Sequence, residues 1–381
     1  MKIVYCTNSI DYVGGIEIIT VFKANALAEI EGNEVYLLVT DYKGSRDFML
    51  SSKVKLIDLD ITYFEHESHS PSDILIQLQK KKKHFRKLKE ILNKIQPDIV
   101  ISTGSSEKHK LPFIKGKWKL IREIHFEKKF RHKYASSVFS KARAYISDFV
   151  DYGIMINRYD KIVVLTKEDK ITNWSKNPKV MVIPNPCKFE SLKSRDGWDK
   201  KNIISVGRLV AQKNFASLIR AFKIVHEKHP DWALTIYGEG GQRPLLESII
   251  DSMRLKNCVS LPGITDNVSA KMLESSIFVL SSISEGFALV ILEAMSSGLP
   301  IVSYECPCGP RDLLEGEENG YLVTVNDEVG LANALNILIE DKNKREAFGK
   351  NSLLKAKQYS IENIVNTWME LFNKLLTERD S

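Results

Sequence analysis

Cysteine is scarce in this 381-residue chain: five residues, at positions 6, 187, 258, 306 and 308, odd in number and scattered. That excludes a disulfide-built scaffold. Cys306-Pro-Cys308 lacks the two-residue spacer of a zinc or thioredoxin pair, so a reducing compartment without cysteine-held metal is expected. Long apolar runs are missing as well. No stretch of about 18 uncharged apolar residues occurs, and no membrane-spanning helix is expected. Met1–Ile10 holds one lysine and a short strand-like run, without an apolar leader core of about 7–15 residues, and reads as a first strand. Low-complexity tracts and repeats at about 20–50 residues are also absent. What remains is 43% hydrophobic and 27% charged, ordinary for a globular chain. Its length suits two domains of about 100–200 residues each.

Charge is unevenly spread. The net value is +7, yet Lys80–Arg143 carries twenty Lys or Arg against five Asp or Glu, so the remainder is acidic. Such a block fits an anionic partner (lipid headgroups, a phosphorylated acceptor or nucleic acid) and equally a solvated helix face. Its lysines interrupt an apolar stripe of Leu75, Leu78, Phe85, Leu88, Leu92 and Ile95 at helical spacing, which predicts a basic amphipathic helix with one side on a core. Aromatic interleaving is thin, which argues against single-stranded nucleic acid.

Strand and helix patterns alternate along the whole length, the pattern of α/β folds with parallel sheets. Lys2–Cys6, Glu34–Val39, Ile99–Ser102, Leu120–Ile124 and Lys161–Leu165 read as buried strands in the first half, with helices at Ile16–Ile30 and Ile74–Ile95. In the second half Asn202–Val206, Ala233–Tyr237, Ile277–Leu280 and Pro300–Ser303 read as strands, the last closing the set. Pro184-Asn-Pro186, followed by a polar stretch without periodicity, marks a boundary. The expected architecture is two Rossmann-like domains facing a cleft, residues 1–185 and 186–360, with a terminal helix in 361–381. Ligands of such sheets sit at the carboxyl ends of the strands.

Three segments at such ends carry chemistry. Ser284-Glu285-Gly-Phe-Ala-Leu-Val-Ile-Leu-Glu293 places a carboxylate, Glu293, in a helix that is apolar on nearly every side, where it is expected to be buried and to need a partner. Glu285 lies in the preceding loop, beside the amides of Gly286, Phe287 and Ala288 at the helix start. Two carboxylates beside an anion-binding helix suit a ligand with hydroxyls next to phosphates, such as a sugar nucleotide. A buried Arg partnering Glu293 and a capping role for Glu285 form the plain alternative. Gly207-Arg208 with Lys213 supplies two cations for a pyrophosphate. Asp11-Tyr-Val-Gly14-Gly15 follows the first strand and allows close backbone approach, or is a simple turn. Neither it nor Gly238-Glu-Gly240-Gly241 completes the dinucleotide fingerprint. Asp58-Leu-Asp60 has the spacing of a metal-holding pair and reads equally as strand alternation. His125 ends a strand and is expected to point into the cleft.

Taken together these residues resemble the retaining glycosyltransferases of family 4, which have the two-domain GT-B fold. The resemblance covers most of the chain and is strongest over 202–323. It rests on Glu285-x7-Glu293, Gly298-Leu-Pro300 and the upstream Gly207-Arg-Leu-x3-Lys213. It implies that Glu285 meets donor-sugar hydroxyls and Glu293 the ribose, that Arg208 and Lys213 neutralise the diphosphate with help from the Phe287 and Ala288 amides, and that Gly263-Ile264 reads the base. Gly14 and Gly15 would line the phosphates and acceptor. His125 would contact the sugar, although Phe126 follows it where the family often has Asp. The resemblance further implies retention of configuration, no metal or other cofactor, and a terminal helix crossing back to the first domain. Gly309-Pro-Arg-Asp312 and the Gly-Gly-Ile-Glu opening are similar to enzymes of bacterial surface polysaccharides and lipid-linked oligosaccharides. The expected reaction moves a hexose or N-acetylhexosamine from a nucleotide sugar, UDP-linked, to a glycan or lipid-linked acceptor. The protein is then expected to be cytoplasmic, with the 80–143 region against an anionic membrane face and no nucleic-acid partner. The alternatives are a sugar-nucleotide epimerase of the same fold and a basic nucleic-acid-binding protein.

Overall fold

The computed structural model describes residues 1–11, 15–44, 50–63, 71–128, 137–187, 198–314, 316 and 318–380. They form two units. The first comprises Met1–Val164, Thr172–Pro186 and Ile361–Ser381; the second comprises Leu165–Ile171 and Cys187–Ser360.

In the first unit, β1 (Lys2–Thr7), β2 (Glu34–Val39), β3 (Val54–Asp58), β4 (Ile99–Ser102), β5 (Lys119–Ile124), β6 (Lys161–Val164) and β7 (Val180–Val182) make one sheet in the order β3-β2-β1-β4-β5-β6-β7. The helices are α1 (Gly15–Ala28), α2 (Pro71–Ile95) and α3 (Val138–Asp148), with α4 (Lys167–Trp174) following β6. Strand pairing is parallel, so the strands are buried on both faces and read as nearly continuous apolar runs. β3 and β7 are short edge strands; β3 is the strand alternation read at Asp58-Leu-Asp60, whereas the apolar pattern alone does not announce β7. The basic helix α2 departs from its expected stripe. Leu88, Leu92 and Ile95 are buried, whereas Leu75 and Leu78 stay 58% and 48% exposed. Only the last three turns rest on the core.

The second sheet runs β10-β9-β8-β11-β12-β13, from β8 (Asn202–Val206), β9 (Ala233–Tyr237), β10 (Val259–Gly263), β11 (Ile277–Leu280), β12 (Ile301–Tyr304) and β13 (Gly320–Val323). Its helices are α5 (Phe215–Lys228), α6 (Arg243–Ser252), α7 (Val268–Leu273), α8 (Leu289–Ser296), α9 (Pro310–Leu313), α10 (Glu328–Glu340) and α11 (Lys342–Ala356). The expectation that Pro300–Ser303 closes the set is corrected by β13, which pairs beside it. Gly320 conceals that strand. A Cβ there would stand 2.2 Å from the Ile301 carbonyl oxygen, so the residue that reads as a breaker is the one the packing requires. Residues 165–171 count with this unit because Asp312 accepts hydrogen bonds from the Lys167 and Glu168 amides, and Glu168 accepts one from the Cys308 amide.

The terminal helix α12 (Ile361–Asp380) belongs to the first unit. Its Ile364, Val365, Trp368, Leu371, Phe372 and Leu375 are buried in the same cluster as Val21, Leu27 and Ile3. Among the described residues no helix is long and apolar enough to cross a membrane.

Candidate active site

The second sheet changes direction at β8, which has β9 on one side and β11 on the other. A crevice at the carboxyl ends of such strands is where open parallel sheets bind ligands. The loops after β8 and β9 are held together there by glycine. Gly238 and Gly240 have φ of +144° and +157°, and a Cβ on them would lie 1.9 Å from Gly207 O and 2.4 Å from Leu209 O. Gly207 N donates to Tyr237 O at 2.9 Å and Leu209 N to Glu239 O at 2.8 Å. The Gly238–Gly241 segment is thus a packing device between two loops, which accounts for its incomplete dinucleotide pattern.

On the other side, the β8 loop is stitched to the β11 loop. Gln212 Nε2 donates to Ser284 O at 2.7 Å, Ile283 N to Gln212 O at 3.0 Å, and Ser281 Oγ to Lys213 O at 2.8 Å. This brings Lys213 Nζ to 2.6 Å from Glu285 Oε1, with the two side chains 16% and 10% exposed. Gly207 leaves room for the lysine stem, since a Cβ on it would stand 3.2 Å from Lys213 Cε. Arg208 is exposed and has no ion-pair partner among the described residues. The crevice therefore holds one neutralised pair and one uncommitted cation.

The backbone here is strained. Asn214, Ala288 and Cys308 are non-glycine residues in the left-handed region, at φ of 52°, 56° and 66°. Ala288 is the N-cap of α8, so the helix starts at Leu289, one residue later than the apolar pattern predicts. Its orphan amides begin at Leu289 and Val290, beyond the Gly286, Phe287 and Ala288 amides expected from sequence. Phe287 and Ala288 are buried, and Gly309 packs on them, a Cβ there lying 2.7 Å from Phe287 O.

Glu293 corrects an expectation. Its neighbours Ile291, Leu292, Ala294 and Met295 are buried, but Glu293 occupies the single open stripe of α8. Loss of solvation nevertheless pushes its carboxyl up to about 7, against a smaller lowering by the charge of Lys213. The carboxyl is exposed at the surface of α8, while the protein mass around it displaces much of its water. Among the described residues no hydrogen bond or ion pair holds its carboxyl.

In the first unit His125 is buried, which corrects the expectation of an open-facing imidazole. Its Nε2 lies 3.4 Å from Glu123 Oε1, and Glu123 in turn binds Lys23. Burial lowers the His125 imidazole to about 4, only partly offset by Glu123. Burial raises the Glu123 carboxyl, but the charges of Lys23, His125 and Arg122 outweigh this and hold it below its ordinary value. The Lys23 ammonium lies over the Trp368 and Tyr5 rings, at 5.1 and 5.8 Å. Sequence reading passed over Lys23 and Glu123. Lys23 shares α1 with Glu17, and Glu123 shares β5 with Lys119 and Arg122, so neither stands out in its element as Glu293 does.

Gly263 ends β10 at φ +92°, its carbonyl accepting from Gly238 N at 2.8 Å, and Ile264 beyond it is 76% exposed. Gly15 opens α1 on an exposed surface; Gly14 lies outside the described residues. Asp58 and Asp60 are engaged in structure. Asp58 Oδ1 accepts from Asp60 N at 2.8 Å, and Asp60 pairs with Lys83 and Lys87 at 3.2 and 3.5 Å. Among the described residues no group of three His, Cys, Asp or Glu could hold a metal ion.

Residues 189–354, which contain Arg208, Lys213, Glu285 and Glu293, match the family described as glycosyl transferases group 1. That match lies within the second unit, and the chain is a glycosyltransferase similar to that family. Over 376 residues this glycosyltransferase is 28% identical to an uncharacterized glycosyltransferase of Haemophilus influenzae, covering 96% of this chain and 98% of the other. Over 181 residues it is 29% identical to the poly(glycerol-phosphate) alpha-glucosyltransferase of Bacillus subtilis, covering 48% of this chain and 27% of that one. Among solved structures, S. aureus TarM in complex with fondaparinux, alpha-GlcNAc-glycerol and UDP matches with a TM-score of 0.77 at 17% identity, over 98% of this chain and 99% of that one. At that identity the likeness establishes the fold, the GT-B architecture of two Rossmann-like domains.

Proposed function

We propose that this glycosyltransferase moves a hexose or N-acetylhexosamine from a UDP-sugar to a glycan or lipid-linked acceptor in cell-surface polysaccharide biosynthesis, with retention of configuration. The observation that carries the donor reading is the grouping at the β8–β11 crevice: the Lys213–Glu285 pair, the unpartnered Arg208 and the solvent-reached Glu293. Uridine diphosphate has the complementary chemistry, a dianion beside ribose hydroxyls. The UDP in the TarM complex and the alpha-glucosyl product in the name of the Bacillus relative support the same reading.

In this mechanism Arg208 contacts the diphosphate, and Lys213 holds Glu285 toward the sugar hydroxyls while adding positive charge beside the leaving group. The bond from the anomeric carbon to phosphate oxygen breaks. The acceptor oxygen bonds to that carbon on the same face, and its proton passes to the departing phosphate oxygen. Cations fixed before the reaction stabilise the charge as it develops, the contribution that dominates many enzymes. Glu293 accepts from the ribose. His125, buried beside Glu123 and neutral at working pH, takes no direct part in this scheme.

The test is thermal stability of the purified chain against UDP-, GDP- and ADP-sugars, followed by NMR of the anomeric product. A UDP-sugar at about 100 times its Kd stabilises by about 2.7 kcal/mol, a visible shift in Tm. Glu285→Ala should lower turnover by on the order of 10²–10³. Near-normal turnover in that variant removes Glu285 from the reaction, and an epimer formed from donor alone would replace transfer by epimerisation.

A further inference from the structure

We infer that the cavity of about 760 Å³ in the first unit is a binding site for a phosphate ester of an apolar chain, and hence that the acceptor is lipid-linked. The inference rests on the transferase reading and deepens it. The first sheet also reverses, between β1 and β4. The cavity opens there, with Asn8 and Ser9 following β1, Thr40 following β2, and Ser105 and Ser106 following β4. Asn8 spans the switch point, its Oδ1 accepting from the Ser105 and Ser106 amides at 3.2 and 3.1 Å. The floor is therefore rich in hydroxyls and amides, which suits the sugar end of a ligand.

The wall supplied by α2 has a different chemistry. Lys80 donates to Thr62 O, and Lys83 is spent on Asp60. Lys81 and Lys82, between them, line the cavity and have no ion-pair partner among the described residues. Lys110, on the same wall, has its ammonium lowered to about 8, chiefly by burial, with the Glu107 charge opposing the shift and the smaller Lys81 charge adding to it. Lys81 and Lys82 are thus charges that no carboxylate pairs with among the described residues, and a bound phosphate would supply the missing counter-charge. Ile61, Tyr63, Leu78 and Phe85 line the same space, and Leu78 continues into Ile74 and Leu75, each 58% exposed. An apolar strip beside unpaired lysines and above a hydroxyl-lined floor is complementary to a single ligand with chain, phosphate and sugar in that order. Glu17 and Asp41, also on the cavity wall, can accept from hydroxyls. The volume is that of a small-molecule site.

The probe is farnesyl diphosphate, titrated calorimetrically into the full chain below its micelle concentration and compared with inorganic pyrophosphate and farnesol. Farnesyl diphosphate should bind at least tenfold more tightly than either fragment. Lys81→Ala/Lys82→Ala should weaken it at least tenfold, both residues being exposed and so neutral to folding. Phe85→Ser should weaken farnesyl diphosphate but not pyrophosphate. Equal affinity for farnesyl diphosphate and pyrophosphate, or unchanged binding in the double lysine variant, overturns the inference. UDP is titrated into the same samples. If UDP binds and farnesyl diphosphate does not, the acceptor inference fails alone; if neither binds, the transferase reading fails with it.

Discussion

Glu285 and Glu293 are eight residues apart and have opposite environments. Glu285 is neutralised by Lys213, while Glu293 has no ion-pair partner among the described residues and is raised by loss of solvation to about 7. A folded carboxyl at 7 binds its proton more tightly than an unfolded glutamate at about 4.3, so between those values stability falls as pH rises. Glu293→Gln removes that term. The unliganded variant should melt above the wild type at pH 8, and the difference should close toward pH 4.5. Donor binding has the opposite demand, because a carboxylate accepts from ribose hydroxyls better than a carboxylic acid. UDP affinity of the wild type should therefore rise between pH 6 and pH 8, while the variant binds weakly at both. His125, lowered to about 4, is neutral across this range and contributes no limb to the profile. A wild-type affinity flat from pH 6 to 8, measured by calorimetry, would take Glu293 out of donor binding.

At the scale of the element, the left-handed Ala288 sets where α8 begins and where Glu293 can stand. An alanine held at φ 56° costs about 1–2 kcal/mol relative to the right-handed region, a cost that glycine largely escapes. Ala288→Gly should leave the fold intact and raise Tm, whereas Gly240→Ala, which brings a Cβ to 2.4 Å from Leu209 O, should lower it sharply. A drop in Tm for Ala288→Gly would show that the methyl packing outweighs the strain. These elements also show what a sequence can and cannot disclose. The buried parallel strands are legible because apolar runs of four to six residues between polar turns have few other readings. Gly320 hides β13 because close packing and chain breaking use the same residue. Leu75 and Leu78 continue a helical stripe that leaves the core, and periodicity reports an apolar face without saying what covers it. The crevice residues were legible as strand-end motifs. The Lys213–Glu285 contact was not, since it joins side chains 72 positions apart in chain order.

For the whole molecule, the terminal helix decides whether the first unit has a closed core. The helix α12 comes last in sequence, yet it supplies Trp368, Leu371, Phe372 and Leu375 to the cluster that holds Ile3, Tyr5 and Ile101. Trp368 also lies against the Lys23 ammonium, the buried cation that pairs with Glu123 beside His125. Its removal should act twice, by opening a cavity and by uncovering a buried ion pair. A Trp→Ala change at such a position costs about 3–5 kcal/mol. The second unit has its own core around Phe222, Leu234 and Leu335, which shares no residue with that cluster. Hydrogen exchange in Trp368→Ala should therefore accelerate in β1 to β6 and stay unchanged in β8 to β13. Trp368→Phe, which keeps a ring over Lys23 and most of the volume, should recover most of the protection. Uniform acceleration in both sheets would mean that the terminal helix stabilises the chain as one cooperative body, and the assignment of its energetic role to the first unit alone would then fail.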